Sequence, residues 1–192
     1  MRLFSPLYRR VMQWSRHPRA SWFLGGLSFA ESSFFPIPPD VMLAPMALAR
    51  PERAWRLALI TTLASVLGGL AGYAIGHFAF ELVQPWIEAR PRYAEGYRLA
   101  VEWFQRYGFW AVFVAGFSPI PYKVFTIAAG VLSMALLPFV LASVIGRGAR
   151  FYLVAGLMRL GGARMEAALH RYVDALGWAV VAAVGIALLW MR

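Results

Sequence analysis

The sequence predicts an all-helical polytopic membrane protein made of two inverted repeats, each a re-entrant helical hairpin plus a transmembrane helix, with interfacial amphipathic helices and a C-terminal transmembrane helix. Three observations predict it. Of 192 residues, 60% are hydrophobic and 15% charged, with a mean hydropathy of +0.59. Soluble domains carry about a quarter charged residues, so this chain lacks the polar surface to cover a water-soluble globule. Second, one unbroken apolar run is long enough to span a bilayer, while several others stop short at proline-rich punctuation. Third, a Pro-Ile-Pro element occurs twice, beginning at Pro36 and at Pro119, 83 residues apart.

The chain reads as one membrane domain, residues 1–192. Residues 1–19 form an N-terminal interfacial helix: Ser5 and Pro6 suit its N-cap and first turn, and Phe4, Leu7, Tyr8, Val11 and Met12 share a face away from Arg9, Arg10 and Arg16. Residues 20–80 form repeat one. The apolar stretch Ala20 to Ala30 is too short to span and ends at Glu31 and Phe35-Pro36-Ile37-Pro38-Pro39-Asp40; a second short piece, Val41 to Ala49, leads to Arg50, Arg53 and Arg56. Entry and exit on one side follows. Leu57 to Phe80 is the spanning helix, with Ala64, Gly68, Gly72 and Gly76 forming a small-residue packing stripe.

Residues 81–106 read as an interfacial connector, in which Tyr93, Tyr97, Val101 and Phe104 line one face and Glu102 has Arg98 and Arg106 as neighbours. Repeat two, residues 107–158, repeats the pattern: a short apolar piece from Phe109, the run Ser118-Pro119-Ile120-Pro121-Tyr122-Lys123, a stretch from Val124 to Leu137, and a helix begun by Pro138 that carries Arg147 and Arg150. A connector, 159–174, precedes the C-terminal transmembrane helix, 175–192. Ser28-Phe29-Ala30 imitates a signal cleavage site, but the basic segment before it is long and amphipathic, and Gly25-Gly26 weakens the apolar core. An uncleaved chain is expected.

With the N terminus in the cytoplasm, eleven loop arginines lie inside and five outside, which agrees with the positive-inside rule. One crossing per half then turns the second half upside down, so that the two hairpins enter from opposite faces. The formal net charge of +10, from eighteen arginines and Lys123, points to anionic lipid head groups. No nucleic-acid motif is present. With no cysteine, disulfides, thiol catalysis and cysteine-ligated zinc are excluded.

Proline-interrupted backbone at membrane depth survives only where protein buries it or water reaches it, so the hairpin tips at Pro36, Pro38, Pro119 and Pro121 imply a cavity. A simple proline kink is the plainer alternative, and its repetition in both halves argues against it. Five charges lie at or beside that depth: Glu31, Asp40, Lys123, Arg147 and Arg150. Lipid exposure would cost each about 3 kcal/mol, so they should face the cavity. Arg147, Arg150 and Lys123 are the expected substrate-binding residues, since arginines three apart on a helix suit a phosphate. Glu31 and Asp40 are the expected proton-coupling residues, because desolvation favours a neutral carboxyl that can take up and release a proton. Plainer alternatives are structural ion pairs, and a helix N-cap for Asp40. An enzyme is not expected: His17, His77 and His170 form no ligand pair, Ser118 has no adjacent base, and neither metal nor cofactor is implied.

Glu31-Ser-Ser-Phe-Phe-Pro36-Ile-Pro38-Pro-Asp40, the Gly-Gly-x-x-Gly-Tyr pattern of Gly68 to Tyr73, and Phe117-Ser-Pro119-Ile-Pro121-Tyr-Lys123 resemble the DedA family, which carries the VTT or SNARE-associated Golgi protein domain. The resemblance runs from about Trp22 to Met191. It implies opposed re-entrant hairpins, proton-dependent movement of lipids in a bacterial cytoplasmic (inner) membrane, and membrane carboxylates at Glu31 and Asp40. Phe117 and Pro119 match part of the second motif. Many members resemble Arg-Phe-x-Pro-x-x-Arg there, whereas this chain has Gly116 and Tyr122 at the two arginine positions, with Lys123 alongside. The expected function is proton-coupled flipping of a phosphate-bearing lipid, undecaprenyl phosphate first and a glycerophospholipid next, since both carry the anionic phosphate head group the cations suit. Protons are the expected second partner, with homo-oligomerisation left open. Two alternatives stand beside it: a proton-coupled transporter of a small ion or cationic solute, and a non-transporting envelope scaffold.

Overall fold

A computed structural model describes residues 19–161 apart from 36, 90, 119 and 120. The expected N-terminal interfacial helix, the C-terminal transmembrane helix, most of the 159–174 connector, and the hairpin-tip prolines Pro36 and Pro119 lie outside the described residues. The described residues are mostly helical, with no strand among them. In order come α1 (Ala20–Ser33), α2 (Asp40–Ala49), a 3-10 turn (Pro51–Arg53), α3 (Ala54–Glu88), α4 (Pro91–Phe117), α5 (Tyr122–Val131) and α6 (Leu136–Gly161).

Both proline-rich elements interrupt helices. After α1, the amides of Phe34 and Phe35 both donate to the carbonyl of Ala30, and α2 starts directly after Pro38-Pro39, since proline suits a first turn that lacks amide partners. Between α4 and α5, Pro121 is extended and Tyr122 opens the next helix. The spanning helix is longer than the apolar run predicts: α3 has 35 residues, and α4 runs unbroken for 27 residues from the connector into the segment before the second break. Mixed charge does not stop a helix, as the Arg98–Glu102 pair at four-residue spacing illustrates. Among the described residues, two segments are long and apolar enough to cross a membrane, Pro51–Leu82 and Leu136–Gly161.

Large apolar side chains cover the outside as well as fill the inside. Leu67, Phe78, Leu82, Trp110, Leu137 and Leu160 are exposed, while Ser28, Ser32, Ser33, Thr61, Thr62, Ser65, Thr126, Ser143 and Arg147 are buried among apolar residues. An apolar exterior with sheltered polar groups suits a hydrocarbon solvent, and with the two long apolar helices it marks a membrane protein. Thr61, Thr62 and Ser143 return their hydroxyls to carbonyls one turn back, which satisfies them inside a helix. Two apolar clusters result. One joins α1, α2, the start of α3 and the end of α6 around Leu24, Leu43, Leu57 and Phe151; the other joins α4, α5 and the start of α6 around Val112, Tyr122, Met134 and Phe139.

The small-residue stripe brings α3 against both short helices. A Cβ on Gly68 would overlap the Phe29 carbonyl of α1, and one on Gly76 the Ile127 carbonyl of α5. The C-terminal end of α5 is finished by tyrosines from outside it: Tyr97 donates to the Val131 carbonyl at 3.1 Å, and Tyr73 donates to the Met134 carbonyl, just past the helix, at 2.8 Å. Carbonyls at a helix end have no internal partner. Tyr73→Phe is therefore expected to cost about 1 kcal/mol, read as a lowered unfolding temperature in detergent, with the fold retained.

Candidate functional site

Helix α6 carries Arg147 and Arg150 to the two breaks. Arg147 is buried, and its guanidinium pairs with the Glu31 carboxylate of α1 at 2.5 Å. Its Nε donates to Ser65 Oγ of α3 at 2.6 Å, and the Ser65 and Ser32 hydroxyls are 2.7 Å apart. Ser32 Oγ also donates to Glu31 Oε2 at 3.2 Å. One carboxylate and two hydroxyls thus receive a cation inside the bundle. Charge-assisted bonds of this kind are about twice as strong as neutral ones, and they offset the cost of burying the charge only when geometry is good. The guanidinium carbon also lies 4.9 Å from the Tyr122 ring centre and 4.6 Å from that of Phe151.

One turn further, Arg150 joins the breaks to each other. It pairs with Asp40 Oδ2 at 2.5 Å and donates to the Ser118 carbonyl at 2.6 Å. Asp40 Oδ1 is buried and has no hydrogen-bond partner among the described residues. Asp40 occupies the first turn of α2 and makes no capping bond through its side chain, so the N-cap alternative is not realised. A second strand of the junction runs the other way: Lys123, after the second break, donates to the Phe35 carbonyl at the first, at 3.2 Å. A carbonyl at each break is thereby satisfied by a cation, Ser118 by Arg150 of its own half and Phe35 by Lys123 of the other.

The five charged residues singled out in the sequence therefore meet in one region, beside Pro38 and Pro121. The arginines reach the two carboxylates in separate pairs, and Lys123 takes a backbone carbonyl instead. Sequence reasoning did not pick out Ser32, Ser65 or Phe151, whose roles come from contacts between helices. Tyr122 carried a signal only as part of the Pro-Ile-Pro-Tyr-Lys run. Gly146 serves packing, since a Cβ there would stand 2.6 Å from the Phe113 carbonyl of α4.

Residues 36–160, which contain both breaks and both α6 arginines, match the VTT domain family model. This chain belongs to the VTT domain, or DedA, family. An uncharacterized protein of Haemophilus influenzae is 47% identical over 191 residues, covering 97% of each chain. An uncharacterized protein of Histophilus somni is 44% identical over 181 residues, covering 94% of each. The undecaprenyl phosphate transporter A of Staphylococcus aureus is 34% identical over 95 residues, or 47% of each chain. No solved structure matches. Glu31, lying before residue 36, joins the matched region through its pair with Arg147.

Proposed function

We propose that this VTT-domain protein moves a phosphate-bearing lipid across a bacterial cytoplasmic membrane, with undecaprenyl phosphate as the leading substrate and a glycerophospholipid as the next, coupled to protons and without an enzymatic step. The observation that carries the proposal is the junction of two helix breaks around two arginines, each held by a carboxylate. Likeness to the undecaprenyl phosphate transporter A over 47% of the chain supports the choice of lipid.

The mechanism follows from competition for guanidinium. With Glu31 and Asp40 ionised, both arginines are occupied and three cations against two carboxylates leave a single positive charge. Protonation of the carboxyls frees the arginines, and a phosphate replaces the carboxylate with the same forked geometry. Asp40 Oδ1, which has no donor among the described residues, is the oxygen open to a proton while Oδ2 still faces Arg150. Lys123, tied to a carbonyl and not to a carboxylate among the described residues, is the cation most readily given up to an arriving head group. Each broken segment acts as a re-entrant hairpin, the two related as inverted repeats, with the N terminus in the cytoplasm. Rocking one repeat against the other exchanges the Arg150 and Lys123 contacts across the breaks and exposes the site to the other leaflet. The lipid tail stays in the bilayer throughout.

The test is movement of labelled undecaprenyl phosphate in proteoliposomes with and without a pH gradient. Wild-type protein should move the lipid faster with the gradient than without it, and Glu31→Gln should lose that difference. Absence of movement above protein-free vesicles, for folded and oriented protein, sinks the carrier-lipid proposal. The scaffold alternative, favoured by the pairing of both arginines, predicts that Glu31→Arg with Arg147→Glu restores function; a phosphate site does not tolerate the exchange.

A further inference from the structure

Among the described residues, Arg147 has one negative charge in direct contact. Its acceptors there are Ser65 Oγ, Ser32 Oγ and Glu31 Oε2; the other nearby charged groups are Asp40, held by Arg150, and Arg150 itself. Whenever Glu31 is neutral, a buried guanidinium loses the partner that compensates it, and an uncompensated charge inside a protein is costly. What remains beside it is two hydroxyls and two aromatic rings. A ring face attracts a cation whatever the protonation state of nearby carboxyls, most strongly where water is excluded.

The Tyr122 ring is held with unusual firmness for this purpose. Tyr122 is fully buried. Its hydroxyl donates to Ser143 Oγ at 2.5 Å, and Ser143 in turn donates to the Phe139 carbonyl at 2.7 Å, so α6 anchors the outer end of the ring. On α3, Gly69 leaves the space the ring occupies: a Cβ there would stand 3.1 Å from the Tyr122 oxygen and 3.2 Å from Cε1. As the first residue of α5, Tyr122 also follows the second break directly, so a displacement of that break reaches Arg147 through the ring. Phe151, one turn after Arg147 on α6, supplies the other ring.

We infer that Tyr122, together with Phe151, is a positioning residue that holds the Arg147 guanidinium in place while Glu31 is neutral, which assigns it to the proton-loaded half of the cycle proposed above and rests on that proposal for its role in transport. The ring performs this task and the hydroxyl only orients it. Tyr122→Phe should accordingly keep the function, and Tyr122→Leu should lose it.

The experiment is a stability cycle on the full-length protein in detergent: wild type, Glu31→Gln, Tyr122→Leu, Tyr122→Phe, and each Tyr122 variant combined with Glu31→Gln. Tyr122→Leu should lower the unfolding temperature by about 5 °C more in the Glu31→Gln background than in wild type, while Tyr122→Phe shows no such excess. Additive shifts for Tyr122→Leu overturn the inference, because a ring that only fills space costs the same whether Glu31 is charged or neutral. Should Tyr122→Leu fail to fold, Phe151→Leu enters the same cycle with the same expectation. In proteoliposomes carrying undecaprenyl phosphate, Tyr122→Phe should move lipid at no less than about half the wild-type rate and Tyr122→Leu about tenfold more slowly. Wild-type protein that moves no lipid removes the transport proposal, and the stability cycle still decides whether the ring holds the arginine.

Discussion

Arg147→Ala is expected to destabilise the protein by about 3–5 kcal/mol and to abolish lipid movement, because it leaves the Glu31 carboxylate and the Ser32–Ser65 hydroxyl pair inside the bundle without their cation. Most of the loss in stability comes from the orphaned carboxylate. Glu31→Gln added to Arg147→Ala should therefore recover part of the stability and none of the transport. Arg147→Lys should fall between wild type and alanine in both respects: it keeps the charge, but a compact ammonium cannot serve Ser65 and Glu31 together from one planar fork. Thermal unfolding in detergent and flux in proteoliposomes measure the two effects separately. An alanine variant as stable and as active as wild type would remove Arg147 from both roles.

The second large effect is expected in the contact of α3 with α5. Gly76→Ala and Gly130→Ala should each destabilise by about 3 kcal/mol or more, at the upper end of overpacking, because the added methyl meets backbone atoms. At Gly76 it meets the Ile127 carbonyl; at Gly130 it meets the Tyr73 carbonyl and the His77 amide. A side chain could turn aside, but a helix backbone must move as a whole. Gly26→Ala and Gly96→Ala are the internal comparison, as no atom lies within 4 Å of an added Cβ at either. There the ordinary helix preference for alanine applies, and about 0.5–1 kcal/mol of stabilisation is expected. Unfolding temperatures of the four variants check the contrast in sign.

Several elements of this arrangement were legible before any coordinates. The four-residue spacing of Ala64, Gly68, Gly72 and Gly76 marks one face of a helix, and that face is where α3 meets α1 and α5. Pro36 to Pro39 and Pro119 to Pro121 had to interrupt helices, since proline removes amide donors and crowds the preceding turn. Boundaries were less legible. Apolar run length marks where lipid contact would end, and α3 continues for two turns beyond Phe80, through Pro85, because polar side chains do not of themselves end a helix. Ser32 and Ser65 gave no signal at all, being two serines among many until packing sets them 2.7 Å apart.

By itself the sequence determined the solvent, the helical class, the places where helices break and the small set of charges that had to be sheltered. These are properties of composition and of neighbours along the chain. Only the tertiary structure decided that Glu31 goes to Arg147 and Asp40 to Arg150, partners 116 and 110 residues apart, and that Lys123 takes a carbonyl instead of a carboxylate. Any of these cations could satisfy either carboxylate by charge alone. The choice depends on the height and rotation at which α6 packs against both breaks, and helix periodicity, which reports one face of one helix, contains no information about that.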